Sequence, residues 1–192
     1  LITEFSTLQP VEAYAGKDRI DFKKLKQQEQ RPIVALVLGS GGARGYAHIG
    51  AIQVLEANGI KPDFIVGTSA GSIVGSVYTS GMNAEQLREV ALSMKPKDVR
   101  EIRLDKKGVL DGKKVEDYIN KQVHNMPLQK LNIPLHVVAT ELKSGSKTVF
   151  NYGNTGQAVR ASASIPSMFV PTKIHDVEYV DGGLVSPVPV QV

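Results

Sequence analysis

One short stretch, Gly-Thr-Ser-Ala-Gly at residues 67–71, restricts the fold of this chain more than any other. It places Ser69 between two glycines, after the mainly apolar residues 63–66 and before a second apolar stretch at residues 73–78. A strand that turns sharply into a helix at such a motif exposes the serine hydroxyl at the head of the helix. The glycines let neighbouring backbone approach the turn where a Cβ atom would block it. We therefore predict a nucleophile elbow at Ser69; a simple glycine-serine turn before a helix is the alternative interpretation.

A second glycine-rich stretch, Gly-Ser-Gly-Gly-Ala-Arg-Gly at residues 39–45, follows an unbroken apolar run at residues 33–38. Such a run is typical of a central strand that is covered on both faces. A helical pattern follows the loop and ends at residues 58–59, and a second strand over residues 64–66 leads into Ser69. Two strand-to-helix units in succession predict an α/β fold with a central, mostly parallel sheet. They also place the glycine-rich loop and Ser69 at the same carboxyl edge of that sheet, where such folds carry their sites.

The rest of the chain continues this alternation. Apolar patterns predict two more helices, a buried strand with an antiparallel partner, a short helix and a hairpin: residues 84–94, 113–124, 135–140, 149–152, 154–161 and 173–180. The hairpin is expected to turn at His175 and Asp176 and to deliver Asp181 to a strand end. The charged residues 95–108 are expected to form a loop.

Composition narrows the domain organisation and the classes of function. With 192 residues and an ordinary share of hydrophobic side chains, the chain can form one domain with a sizeable core, which we place at residues 31–192. Residues 1–30 are expected to form a polar N-terminal extension or linker. The absence of cysteine excludes disulfides, thiolate metal sites and a cysteine nucleophile. Aromatic residues are scarce and tryptophan is absent, so a base-stacking nucleic-acid platform is not expected.

Charge and hydropathy leave the partner and the compartment open. The formal net charge of +4 favours an anionic partner such as a phospholipid surface but does not require one. No apolar run approaches the ~20 residues that a membrane-spanning helix needs. A chain without cysteine is compatible with the cytoplasm and the periplasm alike. We predict neither a metal nor a cofactor, and the sequence determines no oligomeric state.

The glycine-rich loop at residues 39–45 has two candidate roles. A loop that opens a helix can cradle a phosphate, but the dinucleotide fingerprint Gly-x-Gly-x-x-Gly would need a glycine where Arg44 stands. The Lys-Ser/Thr ending of a P-loop is also missing. The other role is to direct backbone N–H groups at an oxyanion, which fits a loop that shares a sheet edge with an exposed serine. A nucleotide-binding module therefore remains the less favoured alternative.

A serine hydroxyl needs a neighbouring base to act as a nucleophile. In an α/β-hydrolase this base is a histidine late in the chain. The chain contains four histidines: His48, His124, His136 and His175. None fits the role, because each falls in or at the end of a helix, in a buried strand or in the predicted hairpin turn. Asp181 is better placed, since the two glycines after it permit a tight turn that holds the carboxylate against a neighbour. A Ser69–Asp181 dyad is chemically sufficient if the carboxylate takes the proton directly; an ordinary turn is the alternative interpretation.

Taken together, the motifs at residues 39–45, 67–71 and 181–183 resemble those of the patatin-like phospholipases. Residues 160–166 (Arg-Ala-Ser-Ala-Ser-Ile-Pro) and the Pro-Val-Pro at residues 187–189 are also similar to that family. The resemblance covers the chain from about residue 33 onwards and is strongest to bacterial members and to the lysophospholipase domain of neuropathy target esterase. It implies a three-layer α/β/α fold. The family usually carries more sheet and helix after its Pro-Val-Pro, so we expect the C-terminal part of the fold to be missing from this sequence.

The resemblance also implies a function. Ser69 would be the nucleophile and Asp181 the general base of a serine hydrolase that cleaves acyl esters of lipids, as a phospholipase A or a lysophospholipase. The expected oxyanion hole comprises Gly41, Gly42, Ala43 and Arg44, where the arginine either braces the loop or attracts a lipid phosphate. The motif glycines are Gly39, Gly45, Gly67, Gly71, Gly182 and Gly183. A lipid or phospholipid substrate is consistent with peripheral contact with a membrane surface, although no amphipathic anchor is evident. A catalytically idle regulatory or binding protein of the same family is the second interpretation.

Overall fold

The computed structural model describes residues 12–13, 26–27, 31–99 and 110–192 of the chain. Most of the expected N-terminal extension lies outside the described residues, and so do residues 100–108 of the expected charged loop. The division of the chain into an extension and a single domain over residues 31–192 therefore stays a prediction. Among the helices in these described ranges, none combines the length and the apolar character needed to cross a membrane.

Helices and strands alternate along the described chain, as the apolar patterns predict. The strands are β1 (Glu12–Ala13), β2 (Ala35–Leu38), β3 (Phe64–Thr68), β4 (Leu135–Glu141), β5 (Lys147–Tyr152), β6 (Thr172–Ile174) and β7 (Val177–Asp181). The helices are α1 (Tyr46–Ala57), α2 (Ala70–Thr79), α3 (Ala84–Ser93), α4 (Pro96–Val99), α5 (Lys113–Gln122) and α6 (Thr155–Ser162). Short 3-10 turns occupy Gly42–Gly45, Leu128–Lys130 and Gly182–Leu184.

Side-chain caps explain where two of these helices begin. At the start of α3, Asn83 Oδ1 accepts a hydrogen bond from the Gln86 N–H at 2.9 Å, and Gln86 Oε1 accepts one from the Asn83 N–H at 3.0 Å. At the start of α6, Asn154 Oδ1 accepts a hydrogen bond from the Gln157 N–H at 3.0 Å. Such caps satisfy backbone N–H groups that have no partner within the helix.

The strands form one mixed sheet in the order β1-β5-β4-β3-β2, with β7 paired to β4 and β6 paired to β7. The central strands β2, β3 and β4 are parallel, so that Val66 lies opposite Val37 on one side and His136 on the other. Strands β5 and β7 both pair antiparallel with β4. The predicted α/β fold with parallel central strands is thus confirmed, and so is the antiparallel partner of β4.

Helices α1, α2, α3, α5 and α6 pack against one face of this sheet. Alternate strand residues such as Ile65 and Val137 belong to a buried cluster that contains side chains from five helices: Ile52, Val77, Leu87, Ile119 and Val159. The intervening residues Val66 and Val138 point to the other face, where they pack with Val149. The face that carries Ile65 therefore holds the main core, and the second helical layer of a three-layer arrangement is not among the described residues.

Strand β4 brings two distant parts of the chain together. Its first half pairs with β3, up to Val138 opposite Thr68. Its second half pairs with β7, beginning at Ala139 opposite Asp181, while β5 occupies the other edge of β4. Because β3 runs parallel to β4 and β7 runs antiparallel to it, the two strands approach each other and end at neighbouring positions. Asp181 and the residue that follows Thr68 must therefore lie close together.

Candidate active site

Ser69 lies in the tight turn between β3 and α2, with a strained backbone (φ 53°, ψ −118°). A non-glycine residue in such a conformation costs on the order of 1–3 kcal/mol, and strained residues of this kind cluster at active sites. The flanking glycines are explained by close backbone approach. A Cβ atom on Gly71 would lie 2.0 Å from the carbonyl oxygen of Leu38, and one on Gly67 would lie 2.8 Å from that of Gly71. The strand–turn–helix geometry predicted for residues 67–71 is present.

The hydroxyl of Ser69 donates a hydrogen bond to Oδ2 of Asp181 at 2.5 Å, across 112 positions of sequence. Only 4% of Ser69 and 7% of Asp181 are exposed, so this bond is largely shielded from bulk water. Hydrogen bonds to a carboxylate are shorter and stronger than those between neutral groups. The structure thus brings together the two residues that the sequence predicts as nucleophile and base, with the carboxylate in direct reach of the serine proton.

Further hydrogen bonds hold Asp181 in this position. The N–H of Gly183 donates to its Oδ1 at 2.6 Å, and the hydroxyl of Thr140 donates to its carbonyl oxygen at 2.8 Å. The N–H of Asp181 in turn donates to the carbonyl oxygen of Ser164 at 2.9 Å. A Cβ atom on Gly182 would lie 2.2 Å from a carbonyl oxygen of β4, so the chain can turn here only with glycine. The carboxylate is therefore fixed by its own tight turn, as the two glycines predict.

Burial raises the pKa of the Asp181 carboxyl above its usual value, because the charged form loses hydration. The hydroxyl of Ser69 and the N–H of Gly183 oppose this shift by donating hydrogen bonds to the ionised form. A carboxylate with a raised pKa binds a proton more readily than an exposed aspartate does. This is the direction that a general base needs.

The glycine-rich loop at residues 39–45 lies directly beside the elbow. A Cβ atom on Gly45 would lie only 2.8 Å from the Cβ atom of Ala70, the first residue of α2. The loop and the beginning of α2 can touch so closely because Gly45 has no side chain. The predicted common edge for the loop and Ser69 is therefore present.

Two contacts anchor the first half of this loop. The N–H of Ser40 donates to the carbonyl oxygen of Pro187 at 2.8 Å. His48 Nε2 lies 2.8 Å from the carbonyl oxygen of Gly39, which makes this side chain a brace between α1 and the loop. A Cβ atom on Gly39 would lie 2.9 Å from the Pro187 oxygen, so glycine is needed for the contact.

The expected oxyanion residues Gly41, Gly42, Ala43 and Arg44 form the tip of the loop. The N–H of Arg44 donates to the carbonyl oxygen of Gly41 at 3.1 Å and closes the 3-10 turn, so it is occupied within the loop. The side chain of Arg44 is exposed. Its two predicted roles, bracing the loop or attracting a lipid phosphate, both stay predictions. Gly42 has a φ of 56°, a conformation that glycine adopts without strain. Gly41, Gly42 and Ala43 remain the candidate donors to an oxyanion.

The histidines are not hydrogen-bonded to either member of the Ser69–Asp181 pair in the part of the chain that the structure describes. They lie in α1, after α5, in β4 and in the β6–β7 turn: His48, His124, His136 and His175. These places agree with their interpretation as structural residues. Within the same described ranges, no group of histidine, aspartate and glutamate side chains is arranged to hold a metal ion.

An apolar cavity of about 370 Å³ opens next to the loop and the elbow. Its wall includes Ala43 of the loop and Ala70 of the elbow, together with Ile73 and Val77 of α2 and Ala91 of α3. A second, more open cavity of about 460 Å³ is lined by charged side chains of α4 and α5 and contains no residue of the loop or elbow. The apolar cavity thus reaches the glycine-rich loop and Ala70, the residue after Ser69, and its size and lining suit a hydrocarbon chain.

Sequence reasoning missed one residue of this site. The N–H of Ser69 donates a hydrogen bond at 2.8 Å to the hydroxyl oxygen of Ser162, the last residue of α6. The sequence feature that could have indicated Ser162 is the stretch Arg-Ala-Ser-Ala-Ser-Ile-Pro at residues 160–166. This stretch is similar to the family, but the similarity indicates no role for its serines.

The chain is similar to known proteins in sequence and in fold. Residues 36–192 match the family described as Patatin-like phospholipase. An uncharacterized NTE family protein of Mycobacterium tuberculosis is 36% identical over 161 residues, which make up 82% of this chain and 44% of that protein. Patatin-like phospholipase domain-containing protein 6 of Homo sapiens is 29% identical over 182 residues, 90% of this chain and 13% of that protein.

Among solved structures, type III effector protein ExoU superposes with a TM-score of 0.51 and 18% sequence identity, over 69% of this chain and 40% of that one. This likeness concerns the fold alone. The chain spans less than half the length of each of these relatives.

Proposed function

Because the chain belongs to the patatin-like phospholipase family, we propose that it is a serine hydrolase that cleaves acyl ester bonds of lipids, as a phospholipase A or a lysophospholipase. The observation that carries the proposal is the 2.5 Å hydrogen bond from the Ser69 hydroxyl to Asp181 in a strained strand-to-helix turn. A turn without a function is not expected to combine a buried carboxylate, a hydrogen bond to a serine and a strained backbone, since such features cluster at functional sites.

The proposed reaction uses Ser69 and Asp181 in two half-reactions. Ser69 Oγ bonds to the ester carbonyl carbon while its proton passes to Asp181 Oδ2. The tetrahedral intermediate then collapses, and the departing alcohol takes the proton from Asp181, which leaves the acyl group on Ser69. Water attacks this acyl-serine and gives its proton to Asp181. Release of the fatty acid returns that proton to the Ser69 oxygen.

The negative charge of the tetrahedral oxygen is assigned to the N–H groups of Gly41, Gly42 and Ala43. One well-placed donor of this kind contributes ~3 kcal/mol to transition-state stabilisation. Helix α2 begins directly after Ser69, so the positive end of its dipole also favours negative charge here. The Arg44 N–H, which closes the turn, keeps these donors at the tip of the loop.

The proposed site for the acyl chain is the apolar cavity beside Ala43 and Ala70. It adjoins both the loop and the elbow, so an ester carbonyl held at Ser69 can direct its hydrocarbon chain into the cavity. Burial of each methylene group of a chain there is worth about 0.8 kcal/mol. The cavity thus supports a lipid ester over a small polar ester as the substrate.

The test of the proposed function is the release of fatty acid from phospholipid and lysophospholipid micelles by the purified protein. We expect time-dependent release with both or one of these lipids, because each presents an ester bond and an alkyl chain. A properly folded full-length protein that hydrolyses neither short-chain nor long-chain esters would contradict the proposal and favour the idle regulatory protein.

Filling the apolar cavity should change the preference for acyl length. In the Ala91→Phe variant a ring occupies part of the cavity, so we expect the ratio of kcat/KM for long-chain over short-chain nitrophenyl esters to fall about tenfold or more. Ala57→Phe, at the exposed end of α1, is the matched control and should leave this ratio unchanged. An unchanged ratio in a stable Ala91→Phe protein would argue against the cavity as the acyl site.

A further inference from the structure

We propose that Ser162 is a positioning residue that holds the backbone of Ser69 in its strained conformation; this inference rests on the proposed function of Ser69. The hydroxyl oxygen of Ser162 accepts a hydrogen bond from the Ser69 N–H at 2.8 Å and donates one to the carbonyl oxygen of Val138 at 2.5 Å. Ser162 is completely buried. Its side chain therefore links the last turn of α6 to the elbow and to β4.

The elbow needs such a partner for a physical reason. Ser69 interrupts the backbone pattern between β3 and α2, so its N–H belongs neither to the sheet ladder nor to the helix. A buried N–H without a partner is unfavourable, and the positive φ of Ser69 is unfavourable as well. One hydroxyl satisfies the N–H and holds the strained backbone at the same time.

The residues directly after α6 hold the other half of the dyad. The carbonyl oxygen of Ser164, two positions after Ser162, accepts the hydrogen bond from the Asp181 N–H at 2.9 Å. Ser162 at the end of α6 and Ser164 just after it thus contact the backbones of Ser69 and Asp181, which lie far apart in sequence. The spacing between the serine hydroxyl and the carboxylate is set in part by this single segment.

Arg160 fixes this segment against the neighbouring helix. Its guanidinium donates hydrogen bonds to Asp111 at 3.0 Å and to Glu116 at 3.2 Å, and all three side chains are largely buried. Hydrogen bonds between charged groups are shorter and stronger than those between neutral groups. The end of α6 is therefore a rigid support for Ser162.

The geometry separates positioning from direct chemistry. Both hydrogen-bonding functions of the Ser162 hydroxyl are in use, one as acceptor and one as donor, and no part of it is open to a substrate. Ser162 also does not line the apolar cavity. Its loss should consequently slow the chemical step while leaving substrate binding unchanged.

The test is the Ser162→Ala variant, assayed for ester hydrolysis and for the rate of labelling by a fluorophosphonate probe. We expect kcat and the labelling rate to fall about 10- to 100-fold, as for other displacements of a reacting group by ~1 Å, with KM unchanged. Ser162→Thr retains the hydroxyl and should recover most of the lost rate. Ser76→Ala is the matched control, because Ser76 is equally buried and donates only to the Ile73 carbonyl oxygen within α2.

Amide hydrogen exchange at Ser69 provides a readout that does not depend on activity. We expect faster exchange of the Ser69 N–H in Ser162→Ala and unchanged exchange in Ser76→Ala. Wild-type kcat, labelling rate and Ser69 exchange in a folded Ser162→Ala protein would overturn the inference. So would a stable Ser162→Thr variant as slow as Ser162→Ala. An inactive wild-type protein whose Ser69 N–H is still protected by Ser162 would instead refute the proposed function and leave the positioning role standing.

Discussion

Ser69→Ala is expected to abolish ester hydrolysis and labelling by a fluorophosphonate probe. The substitution removes the proposed nucleophile, and loss of the nucleophile in a serine hydrolase lowers kcat by roughly four to six orders of magnitude. The backbone strain at Ser69 is unchanged because alanine keeps the Cβ atom, so the fold and the melting temperature should be nearly unaffected. The measurements are probe labelling on a gel, fatty-acid release and thermal unfolding.

The control for this experiment is Ser76→Ala, which removes another buried hydroxyl from α2 that lies away from Asp181. It should retain both labelling and hydrolysis. Labelling of Ser69→Ala at the wild-type rate would show that another residue is the nucleophile, and the Ser69–Asp181 assignment would then be wrong.

Asp181→Asn is expected to remove activity without unfolding the protein. An amide cannot take up the serine proton, and loss of a general base lowers the rate by roughly 10²- to 10⁴-fold. The amide oxygen can still accept from the Gly183 N–H, and its NH₂ group can donate to the Ser69 oxygen, so the turn is retained. Hydrolysis of a short-chain nitrophenyl ester and thermal unfolding are the measurements.

The same variant should be at least as stable as the wild type at neutral pH. Burial raises the pKa of Asp181 in the folded state above its unfolded value. Between these two pKa values the folded state binds more protons than the unfolded state, so the free energy of unfolding falls as pH rises through this window. Above both pKa values the wild type carries the full destabilisation, which Asn removes. The wild-type rate of ester hydrolysis should conversely increase as pH rises through the folded pKa, because only the ionised carboxylate is a base.

His175→Ala is the control for the role of Asp181, since His175 lies in the exposed β6–β7 turn. It should change the rate of ester hydrolysis very little. A large loss of activity in His175→Ala, with Asp181→Asn still active, would contradict the dyad and favour a triad with a histidine base.

Local patterns predicted most elements but placed some ends wrongly. The strand expected at residues 64–66 extends through Gly67 and Thr68, because these residues pair with Leu38 and Val138 in the sheet. Their glycine-rich composition had favoured a turn, and tertiary pairing overrides that preference. The helix expected at residues 113–124 ends at Gln122. Residues 124 and 125 have positive φ angles, which are incompatible with an α-helix. These angles depend on the packing of the following loop.

The elbow at Ser69, the glycine-rich loop and the tight turn after Asp181 can be predicted from local sequence, because each depends on residues that are adjacent in the chain. Glycine spacing and apolar runs are local properties, and so they can be interpreted without a structure. The sequence also indicates Asp181 as a candidate base in place of a histidine. No local pattern, however, shows that this carboxylate contacts Ser69.

The contact between Ser69 and Asp181 depends on the tertiary fold. Strands β3 and β7 end at neighbouring positions on the same edge of β4. Ser69 and Asp181, 112 positions apart in the sequence, are therefore joined by a hydrogen bond of 2.5 Å. Ser162 likewise belongs to the site only through the tertiary fold, since its hydroxyl contacts the N–H of Ser69, 93 positions away in the sequence. Contacts between distant residues depend on the register and direction of strand pairing. A single sequence does not encode these in any local pattern.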